Sequence, residues 1–237
     1  MWSMAELTTY LIKKFFGYDA SAAFCIAALL LAGCQGTPVD RKLDGYVMSS
    51  ARSAEANRDY GAAATHYASL YDASHPDADV VIGMARNLRY SGRTAEAVVA
   101  LENSLQQLGA RLDLLVELGK QHVAAGKPEL AVDPLLRATR LAPTRWEPVH
   151  ALGIAYDRMG RHDDARGWYE QALAISPGNA SILNNMALSR AMSGDRETAL
   201  QLLERAAALP SASAQVRANL QLVGHLKPAD ASGSADP

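Results

Sequence analysis

Residues 146–179, WEPVHALGIAYDRMGRHDDARGWYEQALAISPGN, decide the fold. Val149, Leu152, Gly153 and Tyr156 recur at three- and four-residue spacing, which marks one packed face of a helix. Gly160 follows, and a glycine just past a helix can take the left-handed conformation that closes it. A second periodic set, Ala165, Tyr169 and Ala172, runs on to Pro177, and a proline cannot continue a helix. The stretch reads as two helices joined by a tight turn, with small residues where the helices must approach closely.

The same pattern extends in both directions at one fixed period. Gly92, Gly126, Gly160 and Gly194 are evenly spaced. The same interval separates Ala63, Ala97, Ala131, Ala165 and Ala199, and the small set Ala51, Ala85, Gly119, Gly153 and Ala187. A bulkier column runs Tyr67, Leu101, Leu135, Tyr169, Leu203. Four columns in one register resemble the tetratricopeptide repeat. The resemblance implies an all-α, right-handed solenoid of five helix-turn-helix units, 44–77, 78–111, 112–145, 146–179 and 180–213, plus a C-terminal capping helix over 214–227. Val216, Leu220, Val223 and Leu226 space the apolar face of that cap. The first and last units are atypical. Arg58 stands where other units have glycine, and Arg190 stands in the column of Tyr156. Terminal units of a solenoid face solvent on one side and tolerate this. Thr144 and Glu147 have the spacing of a capping box, and Pro134 inside a second helix predicts a kink. Residues 228–237 are small, polar and proline-flanked, and read as a disordered tail.

Residues 1–33 have a different character. Lys13 and Lys14 precede an apolar run, 20–31, that ends in Ala32 and Gly33. This is the layout of a secretory signal, and the run is shorter than the roughly 20 residues a membrane-spanning helix needs. Leu31-Ala32-Gly33-Cys34 resembles the bacterial lipobox. That resemblance implies a signal peptide over 1–33, a diacylglycerol on the Cys34 thiol, and a lipidated tether over 34–43. Gln35 in place of Asp after the cysteine implies sorting to the outer membrane, on its periplasmic face. The n-region is long for such a signal, and Asp19 interrupts the approach to the apolar run.

Composition narrows the function. A net charge of −2 and a pI near 6.3 lack the basic excess of a nucleic-acid binder. Cys25 and Cys34 both lie in the N-terminal apolar region, so there is neither a disulfide framework nor a zinc-knuckle pattern. The six histidines form no H-E-x-x-H motif, and no phosphate-binding or nucleophile-elbow motif occurs. His122 shares the column of Tyr156 and reads as a packing residue; Asp163 and Asp164 sit where acids favour a helix start. The reading is a chain with no catalytic residues, no metal and no cofactor.

What remains is a surface. In tetratricopeptide proteins the first helix of each unit lines a groove that takes protein segments. Carried over to this sequence, the groove comprises Asp79, Arg86, Arg89, Tyr90, Asp113, Lys120, Glu147, His150, Asp157, Arg158, Asn184, Leu188 and Met192. The segment 152–192, the 216–220 run VRANL and the lipobox together resemble the TadD family of Flp (tight-adherence) pilus assembly lipoproteins. Pro134 and the long N-terminus depart from that family. The resemblance implies a scaffold or pilotin-like factor whose partner is the secretin or another pilus component. A type IV pilus pilotin and an adaptor for cell-wall enzymes are the alternatives; an enzyme or enzyme subunit is the reading from another class.

Overall fold

The chain reverses five times at the same point of its period. The residues that make the reversal are Arg58, Gly92, Gly126, Gly160 and Gly194, with φ of 60°, 79°, 71°, 73° and 89°. After each, an N–H reaches back to a carbonyl five residues earlier: Asp59 to Ala54, Arg93 to Leu88, Lys127 to His122, Arg161 to Tyr156 and Asp195 to Arg190, at 2.7–3.0 Å. This is the Schellman closure of a helix end, which satisfies carbonyls the helix leaves free. In the first unit Arg58 adopts the left-handed conformation that glycine takes elsewhere.

The computed structural model describes residues 38–225, and among these all regular structure is helical. The helices are α1 (Pro38–Ala56), α2 (Tyr60–Leu70), α3 (Ala78–Tyr90), α4 (Thr94–Leu108), α5 (Leu112–Ala124), α6 (Pro128–Leu141), α7 (Trp146–Arg158), α8 (His162–Ile175), α9 (Ala180–Met192), α10 (Arg196–Ala207) and α11 (Ala214–His225). The all-α expectation of five helix-turn-helix units and a cap holds. Helix α1 begins at Pro38, so residues 38–43 of the expected tether are helical. Proline suits a first helical turn, where its missing N–H would have no partner anyway. The signal segment, Cys34, the remainder of the tether, residues 226 and 227 of the cap and the tail lie outside the described residues.

The chain divides after Ser49 into two units. In the unit that begins at Ser50, each helix from α2 onward packs on the next. The odd-numbered helices also touch one another, α3 on α5, α5 on α7, α7 on α9 and α9 on α11. The first helices thus form a continuous layer, and the second helices cover its other side.

The periodic columns explain the packing. Ala63, Ala97, Ala131, Ala165 and Ala199 are all 0% exposed, as are Ala51, Ala85 and Ala187. A Cβ on Gly119 would lie 2.5 Å from Leu135, and one on Gly153 would lie 2.5 Å from the Tyr169 ring. The bulky column therefore fills the space that the small column leaves. Gly83, which belongs to none of the four columns, meets Tyr67 of the preceding repeat at the same 2.5 Å, a close approach between units.

Helix starts use local acceptors. Asp59, Asp77, Asn179 and Asp195 cap α2, α3, α9 and α10 with their side chains. The capping box expected at Thr144 does not form. The N-cap of α7 is Arg145, which makes no side-chain cap bond. Its guanidinium takes the Glu147 carboxylate instead, with Nε donating to Oε2 at 3.1 Å. Pro134 is buried inside α6, which continues through it from Pro128 to Leu141. Helix α11 packs through Val216, Asn219 and Val223. Arg196 donates to the carbonyls of Val223 and Gly224 at 3.1 and 2.6 Å and closes its end.

Two glycines give a paired test of the packing. Gly153→Ala places its methyl against Tyr169, whose hydroxyl is pinned to Asp157 at 2.7 Å. It should destabilise by about 1–3 kcal/mol despite alanine's better helix propensity. Gly167→Ala in α8 meets nothing within 4 Å and should stabilise by about 0.5–1 kcal/mol. Urea midpoints of the two variants should move in opposite directions. Ala165→Phe, at 0% exposure, should also lose about 1–3 kcal/mol by overpacking.

Candidate functional site

The layer of first helices carries two adjoining clefts. One, of about 440 Å³, is lined by Arg89 of α3, Lys120, Val123 and Ala124 of α5, and Trp146, Glu147, His150, Ala151, Ile154 and Arg158 of α7. The other, of about 570 Å³, lies toward the N-terminal ends of the same helices and includes Ile82, Arg86, Asp113, Val116 and Glu117. Lys120 and Glu147 line both. The clefts follow from the fold: residues of α3, α5 and α7 that point away from the second helices have nothing packed over them.

Seven of the thirteen expected groove residues meet here, namely Arg86, Arg89, Asp113, Lys120, Glu147, His150 and Arg158. The other six line neither cleft. Asp79 is exposed in the first turn of α3. Tyr90 packs against Tyr60 with the rings tilted and their centroids 4.7 Å apart, and the Arg89 guanidinium lies 4.9 Å from its centre. Leu188 packs against the core of the last repeats, and Met192 is exposed. Asp157 turns into the structure: it accepts from the Tyr169 hydroxyl at 2.7 Å and the Ser189 hydroxyl at 2.6 Å, and lies 2.9 Å from His162 Nδ1. Asn184 is buried and accepts from Asn219 of the cap at 2.8 Å.

Arg89, expected to line the groove, does so while engaged in an ion pair. Its guanidinium holds Glu117, which is 3% exposed, at 3.1 Å. Gln121 donates to the same carboxylate at 3.0 Å and to the Ala85 carbonyl at 2.7 Å. This group keys α3 to α5. Sequence reading missed Glu117, Trp146, Ile154 and Val123. The signal available was positional, since Ile154 occupies the same place in its repeat as Lys120 and Arg86 do in theirs.

The electrostatics follow from these pairings. Glu147 is held below the ordinary carboxylate range by its bond from Arg145. Asp113 pairs with Arg111 at 3.0 Å. Lys120 is pushed below the usual lysine value, chiefly because the surrounding protein desolvates its ammonium. His150 is pushed to about 4 by burial, with Lys120 adding to the effect. Its ring lies between Trp146 and Tyr169, at 5.7 and 5.9 Å. Asn185 Nδ2 sits 2.9 Å from His150 Nε2, which fits a neutral ring accepting at that nitrogen. Neutral His150 is thus an apolar wall of the cleft. His122 is buried on α5, and its value is likewise lowered by desolvation. Among the described residues no group of three or more His, Cys, Asp or Glu is placed to hold a metal.

Comparison with known proteins supports the repeat fold. Residues 146–179 match the tetratricopeptide repeat family. An uncharacterized protein y4yS of Sinorhizobium fredii is 33% identical over 112 residues, 47% of this chain and 61% of that protein. Human tetratricopeptide repeat protein 7B is 30% identical over 95 residues, 40% of this chain and 11% of that protein. The matches thus span less than two thirds of either relative. Among solved structures, the thermophilic TPR protein TTC0263 of Thermus thermophilus superposes with a TM-score of 0.68 at 20% identity, over 77% of this chain and all of that one. MamA of AMB-1 superposes with a TM-score of 0.53 at 26% identity, over 68% of this chain and 95% of that one. The chain has the tetratricopeptide repeat fold.

Two predictions test the polar anatomy. Because folded His150 stays neutral to about pH 4 while the unfolded ring protonates near 6.5, the unfolded state binds more protons between these values. Stability should therefore fall as pH drops through that window, by at most about 3.5 kcal/mol, since one pKa unit is worth about 1.4 kcal/mol. His150→Gln should flatten the slope in urea titrations at stepped pH. Arg89→Met leaves the buried Glu117 carboxylate with the Gln121 amide but without its cation and should cost about 3–5 kcal/mol, as removal of one partner of a buried pair does. Arg86→Met, whose side chain is exposed, should stay within about 0.5 kcal/mol.

Proposed function

We propose that this chain is a non-catalytic, lipid-anchored scaffold that holds a protein segment in the α3–α5–α7 cleft during assembly of a Flp-type pilus secretion apparatus. The fold carries the coarse reading, because tetratricopeptide solenoids are protein-interaction scaffolds, and this one presents an uncovered face of first helices. One observation supports the finer reading: the lipobox-like Leu31-Ala32-Gly33-Cys34, followed by Gln35, stands at the head of a repeat array that resembles the TadD lipoproteins.

Lipid attachment at Cys34 would hold the solenoid at the inner leaflet of the outer membrane. Two or more acyl chains anchor stably, at about 0.8 kcal/mol per buried CH₂. Confinement to the surface raises the effective concentration of the cleft near a membrane-bound partner such as the secretin. No step of this mechanism makes or breaks a bond in the partner.

Cys34→Ala should abolish acylation and cleavage at this site, read by mass spectrometry of the mature N-terminus. A deletion strain should lose secretin multimers in the membrane and surface pili, and Cys34→Ala should reproduce that loss. Normal multimers and pili in the deletion strain would remove the pilus reading and favour an adaptor for cell-wall enzymes.

A further inference from the structure

The clefts hold more uncompensated positive charge than their composition suggests. Their carboxylates are already engaged: Glu117 by Arg89, Glu147 by Arg145 and Asp113 by Arg111. Asp157 is turned inward onto Tyr169 and Ser189. The side chains of Arg86, Lys120 and Arg158 make no hydrogen bond or ion pair at contact distance among the described residues; Glu117 and Glu147 act on Lys120 only through the longer-range field. These three unpartnered cations come from three successive repeats. Beside them, Trp146, Val123, Ala151, Ile154 and neutral His150 make a largely apolar wall.

The position of the cleft adds a second argument. Polar side chains tie the other repeat junctions: Glu55 accepts from Asn87 at 2.6 Å, Glu117 from Arg89 at 3.2 Å, Asp157 from Ser189 at 2.6 Å and Asn184 from Asn219 at 2.8 Å. Between the helices of the third repeat and those of the fourth, no side-chain hydrogen bond crosses among the described residues; the Arg145–Glu147 bond is local to the start of α7. That junction is made by Ala131, Leu135, Ala151, Leu152 and Ala155. Lys120 lies on one side of it and Arg158 on the other, both facing the same cleft.

We propose that the α5–α7 cleft takes an acidic segment of a partner protein carrying one bulky apolar side chain. The side chain seats against Trp146 and Ile154, and flanking carboxylates bridge Lys120 and Arg158, with Arg86 extending the track. The carboxylates supply the polar tie that this junction lacks, and they compensate the desolvated Lys120 ammonium. The inference rests on the reading of this face as the partner site and adds the chemistry of what it holds. Cavities of a few hundred Å³ with an apolar wall and few convergent polar groups are the usual form of a side-chain or ligand pocket.

The test uses the full chain and three short fluorescein-labelled synthetic peptides: an Asp/Glu-rich one with a central Phe, the same with Phe→Ala, and the same with every acid replaced by Lys. Fluorescence anisotropy should show the first binding about tenfold or more tighter than either control, a difference of about 1.4 kcal/mol. Its affinity should fall with added salt, since partly exposed pairs are screened within about 8–10 Å. The double variants Lys120→Glu with Arg158→Glu, and Lys120→Met with Arg158→Met, should each lose about tenfold or more. Ala124→Trp, which obstructs the cleft while keeping every charge, should lose binding as well; unchanged thermal melts certify that the variants fold. Equal binding of the lysine peptide, or binding unmoved in the variants, overturns the inference. A photo-crosslinking residue at position 124 in cells separates this from the scaffold reading. Crosslinks to a protein together with peptides that show no charge preference sink the acidic-segment inference alone, whereas no protein crosslink at all sinks both.

Discussion

The left-handed reversal between paired helices is the constraint on which the rest depends. A residue of positive φ, followed by an N–H bonded five residues back, fixes the angle at which a second helix leaves a first. Repeated five times at one period, the same angle brings each first helix beside the next and leaves their common face uncovered. Arg58 shows that the geometry, not the glycine, is what the fold requires. A side chain in this conformation costs about 1–2 kcal/mol, and Arg58 still adopts it, with Asp59 bonded to Ala54 and capping α2 at Ala62. Local bonds hold the turn even where the residue opposes it.

This explains which parts of the molecule were legible in the sequence. The turn residues and the small and bulky columns are steric requirements within one repeat, so they return in every unit and can be read as columns. The ties between repeats are different. Glu55, Tyr67 and Asn87 form a cluster in which the tyrosine hydroxyl and the amide both donate to the carboxylate. Asp157, Tyr169 and Ser189 form the same cluster three periods later. The intervening repeats have Leu101 and Leu135 in the tyrosine column, with no hydroxyl to donate. A clamp that appears only where an acid, a tyrosine and a third polar residue coincide leaves no continuous column. Asp157 therefore looked like a groove residue from its helix position, while its actual partner is the Tyr169 hydroxyl on the following helix.

The same limit applies to charge. Helix position tells which residues lie on the first-helix face, and seven of the thirteen expected ones do meet there. It does not tell which of their charges are already neutralised. Arg145 is placed by the helix start to take Glu147, and Arg89 is placed by Glu117 on the first helix of the next repeat. Both pairings depend on residues whose columns vary from unit to unit. A chain of net charge −2 thereby presents a cleft whose unpaired groups are cationic. The bulk charge speaks against nucleic acid and says little about the local field a partner meets.

Stability in a solenoid is close to a sum of repeat and neighbour terms, so junctions can differ in strength along one chain. Here four junctions carry polar keys and the third-to-fourth one is apolar. Apolar contact is non-directional and tolerates small changes of angle between neighbours, whereas a hydrogen bond such as Ser189 to Asp157 at 2.6 Å does not. The cleft thus lies over the one junction that, among the described residues, is held by apolar packing alone. A partner segment spanning Lys120 and Arg158 would add to this junction the polar tie that the others already have. Recognition and rigidity would then be the same event: the contacts that select the segment are those that lock the third repeat onto the fourth.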